Sequence, residues 1–282
     1  MLAAFLPLSA LLFIISFHLP SALAAEWQLK WEDNFDGESL NTEFWNVANN
    51  KTHGDKELQL YLAEQVSVSN GCLVLRTEHR DVQYGSKEYK FVSGWVDTSG
   101  KVSQTFGKYV VRAKLPNPDA IGIWPAHWLM PEPNQWNCWP IGGEIDIMEA
   151  TGGEQNNTVY GTYHWGQNAS SQQLQKGGCK SGCGCDTRFG QNGKFQPSKM
   201  HNFSSSFNTF SVEWDSQKIR WFVNDIQYHE RLKNGTELPI PAEPFHIILN
   251  TAIDWWNPKS GTPLGVYPVE HHIDYVRFYQ LS

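Results

Sequence analysis

The chain of 282 residues carries 29 acidic and 22 basic side chains, a formal net charge of −7. That balance argues against nucleic acid or an anionic membrane surface as partner, because phosphate binding draws its affinity from Lys and Arg. It also disfavours acidic polymers as substrates, while 13 Trp residues supply flat aromatic faces of the kind that stack on sugar rings.

At the start, residues 2–17 form an apolar run too short for a comfortable membrane span, and Ala22-Leu-Ala24 offers the small residues of a signal-peptidase site. Residues 1–24 are therefore expected to be a signal peptide, and 25–282 a single secreted, extracellular domain. The leader lacks Lys and Arg, which leaves an uncleaved anchor as the competing reading. Sequons at Asn50, Asn156, Asn168, Asn202 and Asn234 fit a secretory route. The remaining chain of about 258 residues suffices for one core, and no linker, repeat or charge block divides it.

Strand signals then follow one another. Residues 66–75 read as a hairpin, with Asn70-Gly71 supplying the positive φ angles of a tight turn. Tyr109, Val111 and Ala113 alternate with Lys108, Arg112 and Lys114. Residues 218–223 and 226–229 flank an Asn224-Asp225 turn, and 246–252 and 273–280 are further strands. Helical periodicity is almost absent. The expected fold is all-β: a sandwich of two antiparallel sheets with a concave, polar, open cleft, which suits a polymer.

The densest chemical signal is Glu144-Ile-Asp-Ile-Met-Glu149. In a strand Glu144 and Asp146 share one face, and strict alternation would turn Glu149 to the apolar side, where an unpaired carboxylate is costly. A β-bulge around Ile147-Met148 restores the phase and puts all three acids on one face. Strand geometry then leaves roughly 5 Å between the Glu144 and Glu149 carboxyls, nearer the spacing of retaining than of inverting glycosidases. The competing readings are a solvated acidic face and a calcium site built from the three acids.

The five Cys residues allow at most two bridges. Cys179, Cys183 and Cys185 lie in the Gly-rich stretch 176–193, expected to be a surface loop stapled to itself or to Cys138, while Cys72 in a predicted strand is expected to be a buried free thiol. The cluster lacks the spacing of a structural zinc site.

Together with Gly142-Gly143, the acidic segment, Gly122-Ile-Trp-Pro-Ala-His-Trp128 and Ile273-Asp-Tyr-Val-Arg-Phe-Tyr279 resemble glycoside hydrolase family 16, in particular its laminarinase-like endo-β-1,3-glucanases. Trp31-Glu-Asp-Asn-Phe-Asp-Gly37, Glu57-Leu-Gln-Leu-Tyr61 and Phe106-Gly-Lys-Tyr109 extend the likeness over the whole mature chain. The shorter Glu-x-Asp-x-Glu pattern belongs to the lichenase-like branch.

The resemblance implies a jelly-roll sandwich and an enzyme acting on a β-glucan by double displacement; a monomer is expected. In it Glu144 is the nucleophile, Glu149 the acid/base, and Asp146 the carboxyl that holds the nucleophile and shares a proton. It further implies substrate contacts from Trp124, Trp128, His164 and Asn250. No cofactor is expected for catalysis; a structural calcium ion is implied away from the cleft, on the Asp274 carboxylate and the Asn34 and Gly71 carbonyls. The stretch 177–193 and the insert 134–139 have no family counterpart and are expected near the groove. Competing functions are a β-1,3-glucan recognition protein that binds without cleaving, a family hydrolase or transglycosylase acting on another β-glucan, and a calcium-dependent lectin.

Overall fold

The structure is a computed structural model that describes residues 26–54, 57–132, 139–140, 142–152, 157–167, 187–197, 202–234, 240–254 and 266–282. The leader, the sequons at Asn156 and Asn168, and the cysteines other than Cys72 lie outside the described residues.

Among the described residues the chain forms strands and one turn of 3-10 helix at Ala63–Gln65. In chain order the strands are β1 (Trp27–Asp33), β2 (Asn46–Val47), β3 (Gln59–Tyr61), β4 (Val66–Ser69), β5 (Cys72–Tyr84), β6 (Lys87–Ser93), β7 (Trp95–Asp97), β8 (Ser103–Gln104) and β9 (Gly107–Lys114). They continue as β10 (Ile123–Pro131), β11 (Glu144–Ala150), β12 (Val159–Gln167), β13 (Thr187–Phe195), β14 (Asn208–Trp214), β15 (Lys218–Val223), β16 (Ile226–Leu232), β17 (Phe245–Ile253) and β18 (Val269–Leu281).

One sheet runs β16-β15-β14-β9-β18-β5-β6-β3, with β1 on β18 and β4 on β5; the other runs β13-β12-β11-β10-β17-β7-β2, with β8 on β17. Pairing is antiparallel except between β3 and β6, which run parallel. The two sheets face each other as an open jelly-roll sandwich. Val111, Val212, Trp221 and Phe278 of the first sheet meet Leu129, Ile145, Tyr163 and Leu249 of the second in one core. Full burial of each such side chain contributes about 1.5–3 kcal/mol.

The expected turns are present. Ser69 pairs with Cys72 across Asn70 and Gly71, whose φ angles are 53° and 68°, and Asn224 and Asp225, at 48° and 63°, join β15 to β16. Both are two-residue turns with two positive φ values, which match the twist of the flanking strands. Cys72 is buried and unbridged.

One expectation is corrected. Part of the stretch read as a loop, 187–193, belongs to β13, which pairs with β12 from Val159↔Phe195 to Gln167↔Thr187. An edge strand held by main-chain hydrogen bonds needs no apolar alternation, so its Gly-rich sequence concealed it.

Candidate active site

The site rests on β11, and its form follows from one irregularity. Against β10, Trp128 pairs with Asp146 and His127 with Met148, leaving Ile147 as the extra residue; against β12, Asp146 pairs with Thr162 and Glu149 with Tyr160. Ile147 and Met148 both enter the core, 1% and 0% exposed. The phase shift turns Glu144, Asp146 and Glu149 onto one face, where they line a trough of ≈ 400 Å³ with His53, Glu57, Trp124, Ala126, Trp128, Asn250 and Ala252.

The bulge is supported from beneath. Trp221 Nε1 of β15 donates to the Asp146 carbonyl at 2.7 Å, satisfying a buried acceptor at the distorted point of the ladder. Gly161 makes that approach possible, since a Cβ there would lie 2.3 Å from Trp221 Cδ1.

Above the strand, each acid has its own partners. The Glu144 carboxylate accepts a hydrogen bond from Trp139 Nε1. Glu149 Oε1 accepts from Trp124 Nε1 at 2.9 Å, and Thr162 also bonds Glu149. His164, directly opposite Glu144 on β12, places Nε2 3.2 Å from Asp146 Oδ2.

Burial raises all three carboxyls above their ordinary range. Glu144 is pushed up to about 8, first by burial and then by the charge of Asp146. Asp146 is raised by burial and by Glu149. Glu149 is raised by burial, against which His164 and the bonds from Trp124 and Thr162 favour its ionised form. Like charges so enclosed cannot all ionise together near neutral pH, so the trio holds shared protons.

The remaining sequence-derived positions divide in two. Trp124, Trp128 and Asn250 are in the trough. Trp128, 7% exposed, donates through Nε1 to Asn250 Oδ1 at 2.8 Å, and Asn250 Nδ2 donates to the Tyr61 hydroxyl at 2.9 Å. Asn34, Gly71 and Asp274 lie elsewhere. β18 pairs with β5 up to Leu73↔Ile273 and with β1 up to Asp33↔Val276, so positions 71 and 34 flank residue 274. There the β9 ladder also shifts, between Ile273 and Tyr275. The Asp274 carboxylate is paired with Arg112, and Asn34 Oδ1 accepts from Arg277 Nη2 at 3.0 Å. The three expected calcium ligands thus come from neighbouring segments, one carboxylate and two carbonyls being oxygen donors of the kind calcium takes, with the carboxylate engaged by Arg112.

Sequence reasoning missed the opposite wall of the trough. His53 Nδ1 lies 2.8 Å from Glu57 Oε1, and the Tyr61 hydroxyl donates to Glu57 Oε2 at 3.3 Å. The His53 ring packs against Trp95 and Trp128 at centroid distances of 5.3 and 5.5 Å. Glu57 and Tyr61 fall in a quoted family segment, but nothing local gave them a place in the cleft. Trp139, 42% exposed, was also missed, although it closes the insert expected near the groove.

Residues 41–277 match the family model described as glycosyl hydrolases family 16. A beta-glucanase from Rhodothermus marinus is 31% identical over 273 residues, covering 91% of this chain and 86% of that protein. Glucan endo-1,3-beta-glucosidase A1 from Niallia circulans is 29% identical over 91% of this chain, which spans 38% of that longer protein. The laminarinase catalytic domain of Thermotoga maritima superposes with a TM-score of 0.75 at 32% identity, covering 90% of this chain and 98% of that domain.

Proposed function

Because the chain belongs to glycosyl hydrolase family 16, we propose that this glycoside hydrolase is an endo-acting, retaining β-1,3-glucanase. The observation that carries the proposal is the bulge at Ile147, which gathers three carboxyls, Asp146 buried between two partly buried Glu residues, on the floor of an open trough. An open trough admits the middle of a polymer, which is what endo cleavage requires.

Glu144 acts as nucleophile. Its carboxylate attacks the anomeric carbon while Glu149, kept protonated by burial, gives its proton to the departing glycosidic oxygen. The bond to the leaving sugar breaks as the glycosyl ester on Glu144 forms. Glu149, now ionised, takes a proton from water, and the resulting hydroxide equivalent displaces Glu144 with overall retention. Asp146 carries the shared proton between the two Glu residues, so Glu144 is ionised during attack in spite of its high affinity for protons. The Trp139 indole orients the nucleophile and the Trp124 indole orients the acid. The sugar rests against Trp124 and the rim formed by Trp139, with His164, Trp128 and Asn250 fixing the walls.

The test is release of reducing ends from laminarin, lost in Glu144→Gln, with the β-anomer as first product by NMR. Laminarin that is bound without shortening would replace hydrolysis by recognition, and an initial α-anomer would overturn double displacement. A parallel panel of lichenan, agar and xyloglucan assigns the linkage.

Two further elements belong to the proposal. Residues 1–24 serve as a cleaved leader for secretion, tested by the N-terminal sequence of the secreted protein. Asp274, Asn34 and Gly71 would hold a calcium ion near the β4–β5 turn, which would supply positive charge there and stabilise the fold by binding the native state alone.

A further inference from the structure

We infer that the cleft also holds a divalent transition-metal ion, ligated by Glu144, Asp146 and His164, and that this ion is a reversible inhibitor of the enzyme.

One ligand atom from each of these three side chains lies within 4.8 Å of the others, the only such group of metal-capable side chains among the described residues. The pair His164 Nε2 and Asp146 Oδ2, 3.2 Å apart, already spans the edge of a tetrahedron built on bonds of about 2.0 Å, which measures about 3.3 Å. The set comes from two hydrogen-bonded neighbours, β11 and β12, with Glu144 directly opposite His164. Closing the longer separation calls on the partly exposed Glu144 side chain, which would exchange its bond from Trp139 for the ion.

A second observation points to a ligand. Asp146 is 2% exposed, and its enclosed Oδ2 has the His164 ring beside it at 3.2 Å but no hydrogen bond of good geometry. A carboxyl oxygen so placed is costly to leave without a well-aligned partner. A cation at that point would satisfy the oxygen and offset the crowded negative charge of the trio. The His164 ring, 30% exposed at the trough rim, gives an ion from solvent its first attachment.

The donor chemistry selects the ion class. Two carboxylates and one imidazole suit zinc, manganese, iron(II) or copper(II), whereas the imidazole makes the set a poor one for calcium or magnesium. This site is thereby distinct in chemistry and place from the oxygen set around Asp274.

Binding of the ion stands on the geometry alone; its inhibitory action rests on Glu144 being the nucleophile. A carboxylate bonded to the metal has its lone pair engaged, and the ion occupies space that the reacting sugar must enter, so the ion and the glucan compete.

The experiment is calorimetric titration of zinc chloride into the full-length secreted protein without substrate, followed by laminarin kinetics at fixed zinc. Expected is one zinc ion per chain, bound at least about tenfold more weakly in both His164→Gln and Glu144→Gln. Zinc should raise KM for laminarin with kcat unchanged and be reversed by a chelator. Circular dichroism checks that each variant is folded, and either variant alone suffices if the other is not. Unchanged zinc affinity in the folded variant would put the ion elsewhere, the cysteine-rich segment included, and overturn the site. Zinc binding that is lost in the variants, with unimpaired hydrolysis at saturating zinc, would keep the site and overturn both the inhibition and the role of Glu144.

Discussion

Two of the ladder irregularities in the sandwich, in β11 and β18, lie beside an acid and treat it in opposite ways. In β11 the extra residue Ile147 turns Glu144, Asp146 and Glu149 into one enclosed trough, with His164 as the nearest group able to carry positive charge. In β18 the shift between Ile273 and Tyr275 sets Asp274 at the junction of β1 and β5, where Arg112 pairs with it at once. A ladder defect therefore has no fixed meaning. Compensated charge makes it a joint, and uncompensated charge, buried and sharing protons, makes it chemically reactive.

Removing the acids one at a time tests that contrast most sharply. Glu144→Gln should lower kcat on laminarin by about 10⁴-fold or more, and Glu149→Gln by about 10²–10⁴-fold. Asp274→Asn should leave kcat within about twofold, because its carboxylate meets Arg112 and no cleft residue. A large kinetic loss in Asp274→Asn would erase the distinction between the two defects.

Next in size is the support beneath the first bulge. Trp221→Phe keeps the packing but leaves the Asp146 carbonyl without its donor, at a cost of about 1–3 kcal/mol in thermal unfolding. The same variant should lower kcat, since the acids lose their fixed spacing, and unchanged kinetics would show that β11 holds its shape unaided.

Smaller again is a dependence on pH. The Glu144 carboxyl binds its proton more tightly folded than unfolded, with its value raised from about 4.5 to about 8. Its contribution is therefore complete below the unfolded value and is lost as pH rises toward 8. Glu144→Gln keeps the shape without the charge, so it should melt about 2–4 °C above the parent at pH 9 and differ less at pH 4. An equal difference at both values would mean that burial of the charge is not the cause. The least effect is expected from chelation at the second defect, a fall of a few degrees in Tm that is absent in Asp274→Asn.

Some of this was legible from residue order. The Asn-Gly and Asn-Asp turns announce themselves, because few residues other than Gly, Asn and Asp tolerate their backbone angles. The odd spacing from Glu144 to Glu149 required a bulge as soon as a buried, unpaired Glu was refused. Other parts had no local signal. β10 reads against strand formation, having Pro125 as its third residue and Pro131 at its end, yet it lies centrally between β11 and β17. Glu57 and Tyr61 reach the trough through long-range pairing: β3 runs parallel to β6, and Asn250 binds the Tyr61 hydroxyl from a strand 189 residues away. β13 joins its sheet through backbone groups that every sequence possesses.

The kink in β11 also bears on how related chains should be aligned. Which side of a ribbon a residue occupies depends on whether its count along the strand is even or odd, and a bulge adds one to that count. Five positions with a kink and four without one consequently present the same surface. A codon gained or lost between Asp146 and Glu149 alters the text while leaving the working face unchanged, so a gap opened there records no change of chemistry.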